Sequence, residues 1–138
     1  MKEYMATIKA VIFDFDGVLF DTEPLHFELF RQVLEMDGVR LSAERYHERY
    51  VGLTDKSCFR AVLADSGLPA ISAKSLDRLV QCKTDLMQDA LRKALPILSG
   101  VREFVEGVTV SCRTAIASGA LRQEIVLSLE LAGMTSLF

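Results

Sequence analysis

Residues 9–20 read KAVIFDFDGVLF, and this stretch decides the fold. Its first part, Lys9–Phe15, is a short apolar run rich in β-branched and aromatic residues. Such a run predicts a strand buried on both faces, as in a parallel sheet. Two carboxylates, Asp14 and Asp16, interrupt and end the run, and Gly17 follows them. We therefore expect a strand that ends in a pair of acidic side chains.

After this strand the hydrophobic pattern changes to a helical repeat as far as about Leu95. Its last part, from Leu76 to Leu95, is a long apolar stripe that includes Lys83 and predicts the core side of a helix. Capping residues and breakers divide this region into four helices, with starts near Thr22, Ser42, Asp55 and Ser72 and stops at Gly38, Gly52, Gly67 and Pro96. A short helix, a second strand at Thr114–Ser118 and a last helix before Gly133 follow. The order predicts an α/β layer interrupted by an all-helical insertion from roughly Phe20 to Leu95.

Composition excludes several classes of function. The chain has 138 residues, is 50% hydrophobic and 25% charged, and carries a net charge of −3, as expected for a soluble globular protein. A mildly acidic chain without a basic stripe offers no surface for nucleic acid. No apolar run approaches the roughly 20 residues of a membrane helix, and no signal peptide is found. Three scattered cysteines indicate reduced thiols and a cytoplasmic location.

The carboxylate pair suggests chemistry on phosphate. Side chains two positions apart in a strand point the same way, so a strand that persists to Asp16 would bring Asp14 and Asp16 together. Two close carboxylates repel each other unless one of them stays protonated or a cation such as Mg²⁺ lies between them. One could then attack phosphorus while the other transfers protons. The alternative is that the pair only caps a turn.

The run FDFDGVLFDTEPLH, residues 13–26, closely resembles the first motif of the haloacid dehalogenase superfamily. It is most similar to the β-phosphoglucomutase-like phosphatases and mutases, which carry a helical cap after the first strand. The resemblance implies an incomplete Rossmann-like parallel-sheet core at residues 1–19 and 96–138, with a four-helix cap domain at residues 20–95. It also implies that Asp14 is the nucleophile and a Mg²⁺ ligand. Asp16 would be the general acid and base, with its backbone carbonyl on the metal.

Further site residues follow from the same resemblance. Ser118 and Gly119, after the second strand, correspond to the family's second motif, which binds the transferred phosphoryl group; a Ser before a helix is otherwise a cap. In the cap, Glu23, His26 and Thr54 are candidates for substrate contact. Each also has a structural interpretation, because a His on a helix surface is usually inert and a Glu favours a helix N-terminus electrostatically.

Two later features of the family are not found in this sequence. Its members continue with a Lys and an acidic strand end that completes the Mg²⁺ shell, yet no Lys follows Ser118. We therefore expect a fragment or truncated form that is inactive or impaired alone. Bare edges of so small a sheet would invite self-association, although the oligomeric state stays open.

The function that this sequence predicts is Mg²⁺-dependent phosphoryl transfer through an aspartyl-phosphate at Asp14. The substrate would be a small phosphorylated metabolite, such as a sugar phosphate, and the complete enzyme a hydrolase. Two alternatives stay open: a β-phosphoglucomutase-type phosphomutase, and an inactive helical module that binds or dimerises. The receiver domain of a two-component response regulator also forms an aspartyl-phosphate, but it has no four-helix insertion after its first strand.

Overall fold

The computed structural model describes residues 8–138, which form two compact units. The sheet unit comprises residues 8–21 and 95–138, and the helical unit comprises residues 22–94. The first seven residues of the expected core range lie outside the described residues. The interpretation of the two units as core and cap domains stays a proposal.

The sheet unit contains two short parallel strands with helices between and after them. Strand β1 spans Ala10–Phe13 and pairs with β2, Arg113–Ile116. Along the chain, helix α5, Val101–Thr109, comes before β2. Helix α6, Arg122–Ala132, and a one-turn 3-10 helix, Thr135–Leu137, come after it. Both strands are shorter than expected, because β1 was predicted to run to Phe15 and β2 to Ser118. The expected fold class, an α/β chain with a parallel sheet, is confirmed.

One face of the sheet carries the core of this unit. Side chains from β1, from the loop after it, from α5, from α6 and from the turn after α6 form a single buried cluster. Its members are Phe13, Phe15, Leu19, Phe20, Val105, Leu129, Ala132 and Met134. Ile12 points to the opposite face, because side chains alternate along a strand, and it is 68% exposed. The expectation that β1 is buried on both faces is therefore wrong within residues 8–138.

The helical unit contains the expected four helices. They are α1, Glu23–Met36; α2, Ala43–Arg49; α3, Asp55–Asp65; and α4, Ala73–Lys93. Side-chain caps explain three of the starts, because the hydroxyls of Ser42, Thr54 and Ser72 each accept the N–H three residues later. None of the helices of residues 8–138 has the length and apolar character that a membrane crossing requires.

A separate hydrophobic core holds these helices together. Helix α4 packs against α1 and α3, and the rings of Phe30 and Phe59 meet edge to face with centroids 5.0 Å apart. The apolar stripe predicted along α4 is confirmed by its buried members Leu76, Leu79, Met87 and Leu91. The stripe also includes Lys83, whose side chain is completely buried.

The three cysteines are free thiols with different surroundings. Cys58 is buried, whereas Cys82 and Cys112 are partly exposed. Burial, with a smaller contribution from the Asp55 carboxylate, raises the pKa of Cys58 from 9.0 to about 12. The Cys58 thiol is therefore neutral at physiological pH.

Alkylation should separate Cys58 from the other two thiols. Because the thiolate is the reactive form, we expect iodoacetamide at pH ~8 to label Cys58 on the order of a thousandfold more slowly than Cys82 and Cys112. Mass spectrometry of the labelled peptides measures the three rates. In denaturant the rates should become similar, and rapid labelling of Cys58 in the folded chain would contradict the burial described above.

Candidate active site

The loop after β1 is anchored by buried aromatic side chains. The N–H groups of Leu19 and Phe20 donate to the carbonyl of Phe15, and the Gly17 N–H donates to the carbonyl of Phe20 at 2.7 Å. Gly17 adopts a φ of 71°, in the left-handed region where glycine is favoured. The rings of Phe15 and Phe20 lie 4.8 Å apart in the core. The chain therefore makes a tight turn at Gly17, and the buried rings of Phe15 and Phe20 anchor this turn to the core.

This anchoring leaves the two carboxylates outside the core. Phe13 and Phe15 are buried, whereas Asp14 is exposed and Asp16 is partly exposed. The expectation that the strand persists to Asp16 is wrong, since β1 ends at Phe13. The alternation of buried and accessible side chains nevertheless continues past the end of the strand, so both acids stay accessible.

Backbone contacts order both acidic residues. The N–H of Phe15 donates to Oδ1 of Asp14 at 2.6 Å, a charge-assisted bond that restricts the orientation of that carboxylate. Asp16 forms an isolated parallel bridge with Phe20. The two acids therefore project from a braced loop.

The second strand ends at the same edge of the sheet. Phe13 lies opposite Ile116, and the Ala117 N–H donates to the carbonyl of Phe13 at 2.9 Å. Asp14 comes one residue after β1, and Ser118 comes two residues after β2. The structure thus brings Asp14, Asp16, Ser118 and Gly119 to the carboxyl edge of the parallel strands, where open α/β sheets bind ligands.

The Ser118 segment differs from the expected strand-to-helix junction. Helix α6 begins at Arg122, and its N-cap residue, Leu121, has no side-chain cap. The Ser118 hydroxyl oxygen accepts the Ala120 N–H at 3.1 Å, which closes a short turn before the helix. Ser118 is therefore a turn residue, and its hydroxyl proton can still donate to an anion. Gly119 is exposed in the same turn.

The acidic pair has the donor chemistry that Mg²⁺ requires. Within residues 8–138, no group of three or more His, Cys, Asp or Glu side chains is arranged to hold a metal ion. Protein Mg²⁺ sites commonly use only one or two carboxylates, together with water and substrate phosphate. Asp14 and Asp16 supply hard oxygen ligands that fit such a partial site.

Two of the three remaining candidates lie in a polar cluster of the helical unit. Glu23 and His26 both belong to α1. The Tyr46 hydroxyl donates to Oε1 of Glu23 at 2.7 Å, and Lys83 Nζ lies 2.9 Å from Nδ1 of His26. Burial and the neighbouring Glu23 carboxylate raise the pKa of Tyr46, so this hydroxyl remains a donor. Both candidates are therefore positioned by neighbouring helices.

Thr54 has a structural task in the helical unit. Its hydroxyl oxygen accepts the Ser57 N–H at 3.4 Å and caps α3. Lys56, in the next turn, pairs with Asp77 at 2.7 Å on the surface. Lys56 is therefore a paired charge on the surface of the helical unit.

The polar partners of these candidates were missed in the sequence. Lys83 was assigned to the apolar stripe of α4, and Asp55 and Tyr46 were treated as ordinary helix residues. A signal was present, since a lysine at a buried position of an amphipathic helix needs a partner. That partner, Asp55, lies 28 residues earlier on another helix. Tertiary packing decides which residue pairs with Lys83, and the sequence alone does not show that packing.

Known proteins resemble nearly the whole chain. Residues 11–138 match the family model described as haloacid dehalogenase-like hydrolase. A curated relative, the phosphorylated carbohydrates phosphatase of Thermotoga maritima, is 33% identical over 123 residues, which cover 85% of this chain and 52% of the relative. The chain therefore spans about half the length of that relative.

Solved structures share the fold. A conserved haloacid dehalogenase-like protein of unknown function from Agrobacterium tumefaciens aligns with a TM-score of 0.68 and 25% identity, covering 96% of this chain and 56% of the other. The β-phosphoglucomutase of Clostridium difficile aligns with a TM-score of 0.82 and 21% identity, covering 96% and 60%. At that identity the second match supports the fold alone.

Proposed function

Because the chain belongs to the haloacid dehalogenase-like hydrolase family, we propose that it carries the nucleophile of a Mg²⁺-dependent phosphatase. The observation that carries this proposal is the accessible acidic pair, Asp14 and Asp16, in a braced loop at the carboxyl end of a parallel strand. The proposed substrate is a small phosphorylated carbohydrate. Support for that class is the name of the curated relative from Thermotoga maritima.

The proposed reaction proceeds in two steps. A carboxylate oxygen of Asp14 attacks the phosphorus, and the bond between phosphorus and the ester oxygen breaks. Asp16 donates a proton to the departing alkoxide. Asp16 then accepts a proton from water, whose oxygen attacks phosphorus and breaks the bond to Asp14. Inorganic phosphate leaves, and both carboxyl groups return to their starting states.

The metal would be held at the same loop. We assign its protein ligands to the Asp14 carboxylate and the backbone carbonyl of Asp16. Bound there, Mg²⁺ would offset the negative charge of the nucleophile and of the phosphate oxygens.

The other candidate residues have proposed binding tasks. The Ser118 hydroxyl and the backbone N–H of Gly119 would donate to phosphoryl oxygens, an arrangement favoured by their place beyond β2. Glu23, His26 and Thr54 would contact the organic part of the substrate. For Thr54 this task would come in addition to capping α3.

A phosphatase assay run in parallel with Mg²⁺ and with EDTA tests the proposal. Because this chain is expected to be impaired alone, we expect it to release phosphate from a panel of sugar phosphates and p-nitrophenyl phosphate in Mg²⁺ more slowly than the Thermotoga maritima relative does. We expect a further fall of at least about a hundredfold in EDTA, since losing one charge-stabilising group commonly costs that much. The Thermotoga maritima relative serves as the positive control. Colorimetric phosphate and chromatographic sugar analysis are measured together.

The product distinguishes the candidate functions. Phosphate release supports the phosphatase, whereas an isomeric sugar phosphate formed without phosphate release supports the phosphomutase. If this chain forms neither product while the relative is active under the same conditions, catalysis by this chain is contradicted. The inactive helical module is then the better interpretation.

A further inference from the structure

Two buried tyrosines of the helical unit each donate a hydrogen bond to a carboxylate. Tyr46 lies on α2 and is 3% exposed, and its hydroxyl donates to Oε1 of Glu23 at 2.7 Å. Tyr50 follows the last residue of the same helix and is 2% exposed, and its hydroxyl donates to Oδ2 of Asp65 at 2.7 Å. A buried tyrosine hydroxyl requires such a partner. The two bonds therefore differ mainly in which carboxylate they hold.

The carboxylate of Asp65 belongs to a charged cluster that joins α2 to α3. Oδ2 of Asp65 lies 3.0 Å from the guanidinium of Arg49 and 3.9 Å from that of Arg45. Arginine and Tyr50 together hold this carboxylate, so the bond from Tyr50 has a structural explanation within the cluster.

The carboxylate of Glu23 is in a different position. Glu23 is the first residue of α1 and is partly exposed. Its negative charge favours the N-terminus of the helix, and that effect requires no particular orientation of the side chain. The bond from Tyr46, which lies 23 residues later on another helix, supplies an orientation.

Tyr46 is a donor with a fixed place and a constant proton. Its ring packs against those of Phe27 and Phe30, with centroids 5.4 Å and 5.9 Å apart. Burial, with a smaller contribution from the bond to Glu23, raises the pKa of the Tyr46 hydroxyl above its usual value. The hydroxyl therefore keeps its proton, and a hydrogen bond to a charged acceptor is stronger than one between neutral groups.

A fixed donor prepares Glu23 for a second hydrogen bond. A carboxylate has about four acceptor sites, so Glu23 can accept a further proton donor while Tyr46 holds Oε1. Its negative charge repels a phosphate group and attracts the hydroxyl end of a substrate. We propose that Tyr46 is a positioning residue that holds Glu23 as the acceptor for a hydroxyl group of the carbohydrate. This use rests on the proposed function, whereas the orientation of Glu23 does not.

Side-chain couplings measured by nuclear magnetic resonance on the chain without substrate test the orientation. In the wild type we expect the three-bond couplings of Glu23 that report χ1 and χ2 to match one rotamer. Those of Glu48, an exposed residue of α2, should be averaged. Tyr46→Phe removes only the hydroxyl oxygen and should average the Glu23 couplings, whereas the matched control Tyr50→Phe should leave them unchanged. Averaged Glu23 couplings in the wild type, or unchanged ones in Tyr46→Phe, would overturn the proposal.

Calorimetric binding in EDTA, which prevents turnover, tests the use of Glu23. The ligands are phenyl phosphate and the tightest-binding member of a panel of sugar phosphates, two phosphate monoesters that differ in their hydroxyl groups. Tyr46→Phe should weaken the sugar phosphate by about fivefold, the cost of ordering one flexible side chain, and leave phenyl phosphate within about twofold. Tyr50→Phe should change neither ligand by more than about twofold. If Tyr46→Phe weakens both ligands alike, its role is structural and the proposal is wrong.

A double-mutant cycle separates positioning from a direct contact of Tyr46. Glu23→Ala removes the acceptor and should weaken the sugar phosphate by about tenfold. Adding Tyr46→Phe to Glu23→Ala should then have no further effect. Additive effects of the two substitutions, or a wild type that does not prefer the sugar phosphate to phenyl phosphate, would overturn the proposal. A wild type that shows this preference but no phosphatase activity in Mg²⁺ contradicts the proposed reaction alone.

Circular dichroism establishes that each variant is folded. If Tyr46→Phe fails to fold, the wild-type couplings and the binding of Glu23→Ala decide the question. In that case, averaged Glu23 couplings or an unchanged affinity of Glu23→Ala for the sugar phosphate contradicts the positioning of Glu23.

Discussion

Replacing Asp14 by Asn is expected to reduce phosphatase turnover by a factor of about a thousand or more. The amide has no negative charge and is a poor nucleophile, so the first step loses its attacking group. Asn has the same shape, and its side-chain oxygen can still accept the Phe15 N–H that now donates to Oδ1 of Asp14. The loop should therefore keep its structure while activity is lost. Initial rates in Mg²⁺ with the best sugar phosphate measure the effect.

Asp21→Asn is the matched control for this substitution. Asp21 follows the same loop and is exposed, and its backbone N–H donates to the carbonyl of Pro96 at 2.7 Å, a bond that the substitution leaves intact. We expect Asp21→Asn to retain activity within about threefold. If Asp14→Asn retains activity within tenfold of the wild type, Asp14 is not the nucleophile, and the proposed mechanism is wrong.

The family and the helices could be predicted because their signals are local. The acidic motif lies within a single run of 14 residues, residues 13–26, and the family match confirms the resemblance. Helices α2, α3 and α4 begin beside the hydroxyl caps of Ser42, Thr54 and Ser72. A cap and the first turn that it stabilises are neighbours in sequence, so no knowledge of tertiary packing is needed.

The ends of the strands could not be predicted from the apolar runs. Phe15 extends the run beyond β1, but it is buried as an anchor of the loop, against Phe20. Ala117 likewise continues the run after β2, although that strand ends at Ile116. The apolar run reports burial at Phe15, whereas Ala117 is exposed and its N–H still donates to the carbonyl of Phe13. An apolar run therefore does not mark the residue at which a strand ends.

The expectation that the chain self-associates through its sheet stays a prediction. Ile8 and Ile12 are exposed apolar side chains of the sheet unit, which is the kind of surface that favours association. Self-association through this sheet is a prediction from its bare edges. Its test is sedimentation velocity across a range of concentrations.

The second large effect concerns the core of the helical unit. Phe59 is completely buried, and its ring meets Phe30 edge to face at 5.0 Å. Phe59→Ala should lower the free energy of unfolding by about 3–5 kcal/mol, because burial of the ring is lost and a cavity remains. A typical domain has about 5–15 kcal/mol in total, so the variant should be only marginally folded. Urea titration followed by far-ultraviolet circular dichroism measures the change.

Met36→Ala provides the comparison within the same unit. Met36 ends α1 and is 62% exposed, so removing its side chain should change the free energy of unfolding by less than about 0.5 kcal/mol. Both variants remove apolar side-chain atoms, but only Phe59→Ala removes buried ones. The difference between their free energies of unfolding therefore measures the effect of burial. A loss below about 1 kcal/mol for Phe59→Ala would mean that the helices close around the gap.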